Sequence, residues 1–228
     1  MIRMMIDVVP RRRIVLLALL CSHHLYGQQD FQLWNDLKIK ADLGKQWDLS
    51  FEQNIRLAQN AGRFSKAYSN LSAGYSYKDF LKLEGTYRFI VRDNSERIRY
   101  GHALVMDVTV RQRIERLRLS LRNRLQFRYM DILSEETGWV PAKYYRARLE
   151  GVYKTRKFPL DPFASAEAFV FLPKGERAAL DAIRTALGAE YEINKKHTAG
   201  LYWMNEWGMG ATSGEALYIL GVMYTYSH

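Results

Sequence analysis

The sequence predicts an all-β protein, an antiparallel up-and-down transmembrane β-barrel of about twelve strands. Three observations predict it. Apolar and polar residues alternate with a period of two along most of the chain after residue 30, the periodicity of a strand with two unlike faces and not of a helical stripe. The alternating segments are joined by connections that are short and long in turn, which describes a meander of hairpins with two unequal ends. Some runs are also too long for a soluble sheet. Arg116 to Tyr129 keeps the pattern over fourteen residues, whereas soluble strands run about 5–6 and a tilted membrane strand needs about 9–11.

Taken in order, Phe31 to Leu43 sets Leu33, Leu37, Ile39, Ala41 and Leu43 against Asp36, Lys38, Lys40 and Asp42. Trp47 to Ala58 opposes Trp47, Leu49, Phe51, Ile55 and Leu57 to Asp48, Ser50, Glu52, Asn54 and Arg56. Ala67 to Tyr77, Leu81 to Arg92 and His102 to Arg113 follow. The densest stretch is "RQRIERLRLSLRNRLQFRYM", Arg111 to Met130, where seven arginines interleave with Leu117, Leu119, Leu121, Leu125, Phe127 and Tyr129. Lys143 to Lys154, Phe163 to Leu172, Arg184 to Asn194, Lys196 to Trp207 and Ala216 to Tyr226 complete eleven segments. "GERAALDAIRTA", Gly175 to Ala186, reads as a short helix within a loop. Single-chain bacterial barrels have even strand numbers, so eleven segments point to twelve strands, the twelfth lying in 130–142 or the N-terminal segment, with ten as the alternative.

Composition narrows the class. With 48% hydrophobic and 13% aromatic residues in 228, the chain is not of disordered type. Its opening, "MIRMMIDVVPRRRIVLLALLCSHHLYGQQ", has a basic start ending in Arg11, Arg12 and Arg13, then an apolar core over Ile14 to Cys21. That core is too short to span a bilayer and has the form of a secretory signal. Residues 1–27 are therefore expected to be a signal peptide cleaved after Gly27, leaving 28–228 as the barrel. The formal charge of +10 becomes +7, from 30 basic and 23 acidic side chains. Cys21 is the only cysteine, so the mature chain is exported without a disulfide framework. No later segment is apolar enough for a membrane helix.

An outer-membrane barrel turns its apolar face to lipid and its polar face to the lumen. On that orientation Asp107, Arg111, Arg113, Arg116, Arg118, Arg122, Arg124, Arg128, Arg146, Arg148, Glu150, Glu190 and Glu192 line the lumen. A two-residue turn at Ile114 and Glu115 would place Asp107 opposite Arg122, Arg111 opposite Arg118 and Arg113 opposite Arg116. Glu84, Glu167, Glu190 and Glu192 are further candidate partners for the arginines. Tyr75, Tyr77, Tyr87, Tyr129, Tyr145, Tyr153, Trp203, Tyr224 and Tyr226 fall on apolar faces, mostly near strand ends, where amphipathic rings favour the lipid–water boundary.

The series "KQWDLSFEQNIRL", "RLRLSLRNRLQFRY", "YYRARLEGVYK", "DPFASAEAFVF" and "ALYILGVMYTYS" resembles a family of uncharacterised outer-membrane β-barrels of Gram-negative bacteria, a domain of unknown function, over roughly residues 31–226. The resemblance implies a barrel in the outer membrane, with membrane lipid and the outer-membrane insertion machinery as partners. It brings no catalytic residues. Such barrels usually finish on an aromatic residue, whereas Ser227 and His228 follow Tyr226 here.

No nucleophile elbow, zinc spacing, P-loop or dinucleotide glycine motif occurs. His102 and His197 stand at strand boundaries. The expectation is a non-enzymatic barrel with no cofactor and no metal, either a structural barrel or a narrow pore preferring a small anionic solute, since rings of Arg favour anions. A barrel-embedded lipid hydrolase and a soluble secreted β-barrel binding protein are the alternatives. Nucleic acid is not an expected partner, because aromatic residues and arginines occupy opposite strand faces and cannot grip one strand together.

Overall fold

The computed structural model describes residues 28–131, 140–155, 158–209 and 213–228. The proposed signal peptide lies outside the described residues, as does most of the 130–142 segment. Eleven strands are present among the described residues: β1 (Gln28–Leu43), β2 (Trp47–Ala58), β3 (Arg63–Tyr77), β4 (Leu81–Asp93), β5 (Ile98–Ile114), β6 (Leu117–Met130), β7 (Ala142–Tyr153), β8 (Leu160–Leu172), β9 (Ala179–Asn194), β10 (His197–Gly208) and β11 (Glu215–Ser227). They form one closed barrel in which each strand pairs with its chain neighbours and β11 returns to β1.

The fold class is the one expected, with a count of eleven. An odd number resolves the parity difficulty in a definite way. Successive strands alternate in direction, so the first and eleventh run the same way, and the closing pair is parallel, with Trp34 beside Gly221 and Asp36 beside Met223. All other pairs are antiparallel.

Orientation follows the alternation. Met106, Leu71 and Leu187 are 60%, 59% and 68% exposed, while Asp107, Ser72 and Glu167 are buried. Among the described residues, exposed charged side chains lie only near strand ends and in connections. Aromatic rings gather at both ends of the outer face. Trp47 packs on Tyr75 and Tyr77 on Phe80 at the short-turn end, and Phe89 on Tyr100 and His102 on Tyr129 at the long-loop end. Across the closing seam, Trp203 stacks with both Phe31 and Tyr218.

Two sequence expectations are corrected. Ala179 to Ala186 belongs to β9 and is not helical. A bulge there shifts the β8 register by one residue, from Phe169 opposite Ala182 to Val170 opposite Leu180. The extra residue shifts the alternation, so Leu180, Ile183 and Leu187 share the outer face at spacings of three and four, an imitation of helical periodicity. The β5–β6 turn is Glu115–Arg116, with Glu115 at φ 51, and Ile114 pairs with Leu117. This shift sets Asp107 opposite Arg124, Arg111 opposite Ser120 and Arg113 opposite Arg118.

Candidate functional site

The lumen holds the polar chemistry. Two small apolar clusters narrow it. Ile90, Ala103 and Val105 pack with Tyr68 and Met130 on β3–β6, and Val152, Phe163 and Tyr202 pack with Met204 and Met223 on β7–β11. The second cluster lines one part of a chamber of about 370 Å³, large enough for a small ligand by the usual size of such sites. An adjoining cavity of about 270 Å³ leads toward the turn end.

The β6–β10 wall is ordered by register. Arg122, Arg148, Glu167, Arg184 and Glu206 are successive cross-strand neighbours. Directly opposed like charges repel, and Arg122 faces Arg148 while Arg124 faces Arg146. Carboxylates relieve both contacts. Buried Glu167 accepts from Arg122 at 2.8 Å and from Arg146 through two bonds of 3.1 and 2.9 Å. Asp107 accepts two bonds from Arg124, at 2.7 and 2.6 Å. Arg148 pairs with Glu150 and Arg184 with Glu206. Paired forks of this kind are the strong form of the ion pair and restrain both side chains.

The β1–β5 wall is built differently. The guanidinium of Arg56 lies 3.6 Å from the ring of Trp34 and 4.7 Å from that of Tyr68, an arrangement that attracts the cation to the ring faces. Arg88 also faces Tyr68, at 4.9 Å, and donates to Asn70 at 2.7 Å. Asn70 donates to Asn54 at 2.9 Å, and Asn54 donates to Asp36 at 2.6 Å and Glu52 at 2.7 Å. The two carboxylates are therefore tied to an amide. Among the described residues none lies within ion-pair distance of Arg56 or Arg88, and the Nε of Arg56 is buried without an acceptor.

One row on this wall is wholly cationic. Arg56, Lys66, Arg92 and Arg99 are direct neighbours across β2, β3, β4 and β5, near the loop end. Arg99 is bonded to Asp131, and that bond holds the Asp131 carboxyl below its ordinary range.

Tyr202 ties the seam together. Its ring passes over Gly221, where an added Cβ would come within 1.9 Å of Cζ, and its hydroxyl donates to Asp36 at 3.0 Å. A side chain on β10 thus reaches β1 across β11, and only glycine leaves it the room.

The structure brings together Arg122, Arg124, Arg146, Arg148, Glu150 and Glu190 around the chamber, with Asp107 behind Arg124. Arg111 and Arg118 line the adjoining cavity and, with Arg113, a wide recess at the turn end. Arg116 is exposed beside the Tyr153 hydroxyl. Arg128 sits against the Tyr144 ring, 4.6 Å away, and Glu192 is exposed near the turn end of β9. Of the further acidic candidates, Glu84 pairs with Lys82 at 2.7 Å. Sequence reasoning missed Arg56, Arg88, Trp34 and Tyr68 as a group. The available signal was Trp34 and Tyr68 themselves, aromatic residues standing at polar positions of their strands. Among the described residues no cluster of His, Cys, Asp and Glu is arranged to hold a metal ion.

Comparison with known proteins adds three findings. No curated protein matches the chain. Among solved structures, the translocator domain of autotransporter NalP from Neisseria meningitidis is similar at 15% identity and a TM-score of 0.39, covering 86% of this chain and 88% of that one. A family model described as "Protein of unknown function (DUF2490)" matches residues 31–215. With the match spanning most of the barrel, the chain belongs to that family.

Proposed function

We propose that the protein is an integral outer-membrane β-barrel, exported by a signal over residues 1–27, whose lumen is closed at mid-height by its own ion pairs. One observation carries this reading: the apolar face of all eleven strands points outward, with aromatic rings at both margins. A soluble barrel would bury that face. Exposed leucines over this much surface are stable only against an apolar solvent. Ten strand residues at a tilt of about 40° rise about 25 Å, the height of the apolar band of such barrels. The insertion machinery would be its assembly partner.

The reading is tested by fractionation and by heat-modifiable gel mobility. The expected result is recovery with outer membranes and faster migration of the unheated protein. Recovery as a soluble secreted protein would overturn it.

A narrow anion-preferring channel is the second reading, favoured by the basic side chains along both cavities. In planar bilayers the closed-lumen reading expects no steady conductance. Steady anion-selective current that falls when Arg118 and Arg122 are changed to Ser would replace it with the channel.

A further inference from the structure

We propose that the chamber is a binding site for a small organic carboxylate, with the anionic head on Arg56 and Arg88 and the apolar body against Tyr202, Met204 and Met223. The inference rests on the barrel reading above and adds a ligand to its lumen.

Four features converge on this class of ligand. The Arg56 guanidinium lies over the rings of Trp34 and Tyr68, contacts to ring faces that use none of the N–H donors on its in-plane edge. That edge is the one a carboxylate meets with two oxygens. The nearest carboxylates of the protein, Asp36 and Glu52, are tied to Asn54, so the two cations are not neutralised by direct pairing. The row Arg56–Lys66–Arg92–Arg99 sets four cations side by side toward the loop-end mouth. Such a row costs free energy in the empty protein, and an arriving anion recovers part of it. The β10–β11 part of the chamber wall supplies apolar surface: Tyr202, Met204 and Met223 line it, and methionine adapts to ligands of varied outline. A bare inorganic anion would use the first three features and waste the fourth. A neutral apolar molecule would leave the cations unmet.

The test is isothermal titration of the full chain, refolded in detergent, at low salt, with benzoate, benzyl alcohol and inorganic phosphate as probes. Heat-modifiable mobility is measured on every sample, so failure of the barrel reading is seen separately from failure of binding. Benzoate is expected to bind at one site, with phosphate at least tenfold weaker and benzyl alcohol giving no heat. Arg56→Gln should weaken benzoate at least tenfold. Met204→Trp should do the same by filling the chamber while leaving every charge in place, and Lys45→Gln at the far turn should change nothing. Because salt screens the longer-range pull of the loop-end cations on an arriving anion, affinity should fall as ionic strength rises. Any one of three results on folded protein would overturn the inference: no heat with benzoate, unchanged affinity in both Arg56→Gln and Met204→Trp, or phosphate binding as tightly as benzoate.

Discussion

The two sides of the lumen solve the same problem with different emphasis, although arginines on both also lie over aromatic rings. On β6–β10 the row Arg122, Arg148, Glu167, Arg184, Glu206 interposes carboxylates among its guanidinium groups, and the wall holds itself together. On β2–β5 the row Arg56, Lys66, Arg92, Arg99 has no carboxylate within it. Its relief comes from aromatic faces at one end and from Asp131 at the other. The difference shows that arginine content alone does not say whether a lumen is structural or receptive. What decides is whether each cation finds its counter-charge inside the same wall.

The comparison can be broken most strongly at Glu167. Replacing it by Ala strips the shared acceptor from Arg122 and Arg146 and leaves two guanidinium groups short of charge. Removing one member of a buried pair typically costs about 3–5 kcal/mol, and a loss of that order is expected in urea unfolding of the vesicle-inserted barrel. A loss under 1 kcal/mol would show the wall to be wet. Asp107→Leu alone should cost a similar amount, whereas Asp107→Leu combined with Arg124→Met should recover most of it, because a buried pair and an apolar pair of similar volume are often close in stability. Equal losses in the single and double variants would contradict the pairing. Tyr202→Phe removes the seam hydrogen bond to Asp36 and should cost about 1–2 kcal/mol by the same measurement, with the barrel still closed. The smallest effect has the opposite sign. Lys66→Gln takes one charge from the middle of the cationic row and should stabilise the barrel by roughly 0.2–1 kcal/mol. Destabilisation there would mean that the row is compensated after all.

Much of this was legible in the residues. Period two marks the strands apart from the bulge in β9, because each ribbon turns an apolar face outward and a polar face into the lumen. The pairing of Glu167 was also within reach, since excess arginine on one face implies acidic partners on neighbouring strands. What escaped has physical causes. The bulge at Asp181 put Leu180, Ile183 and Leu187 on one face at helical spacing. The turn at Glu115–Arg116 shifted a whole hairpin register, because polar and apolar faces survive a two-residue slip unchanged and alternation cannot detect it. Trp34 and Tyr68 were hidden by the rule that aromatic rings belong to the lipid side. Alternation alone puts both rings on the lumen face, and what they do there, covering cations of adjacent strands, is a relation across the sheet that no local window contains.

The parallel closing pair has a topological consequence. Gln28 stands beside Glu215 at the loop end, while Lys40 stands beside Ser227 at the turn end. The barrel's two chain ends therefore open onto opposite mouths. Cargo fused ahead of Gln28 and cargo fused behind His228 would be held a full wall-height apart, and a tether joining them would have to run the length of the cylinder or thread it.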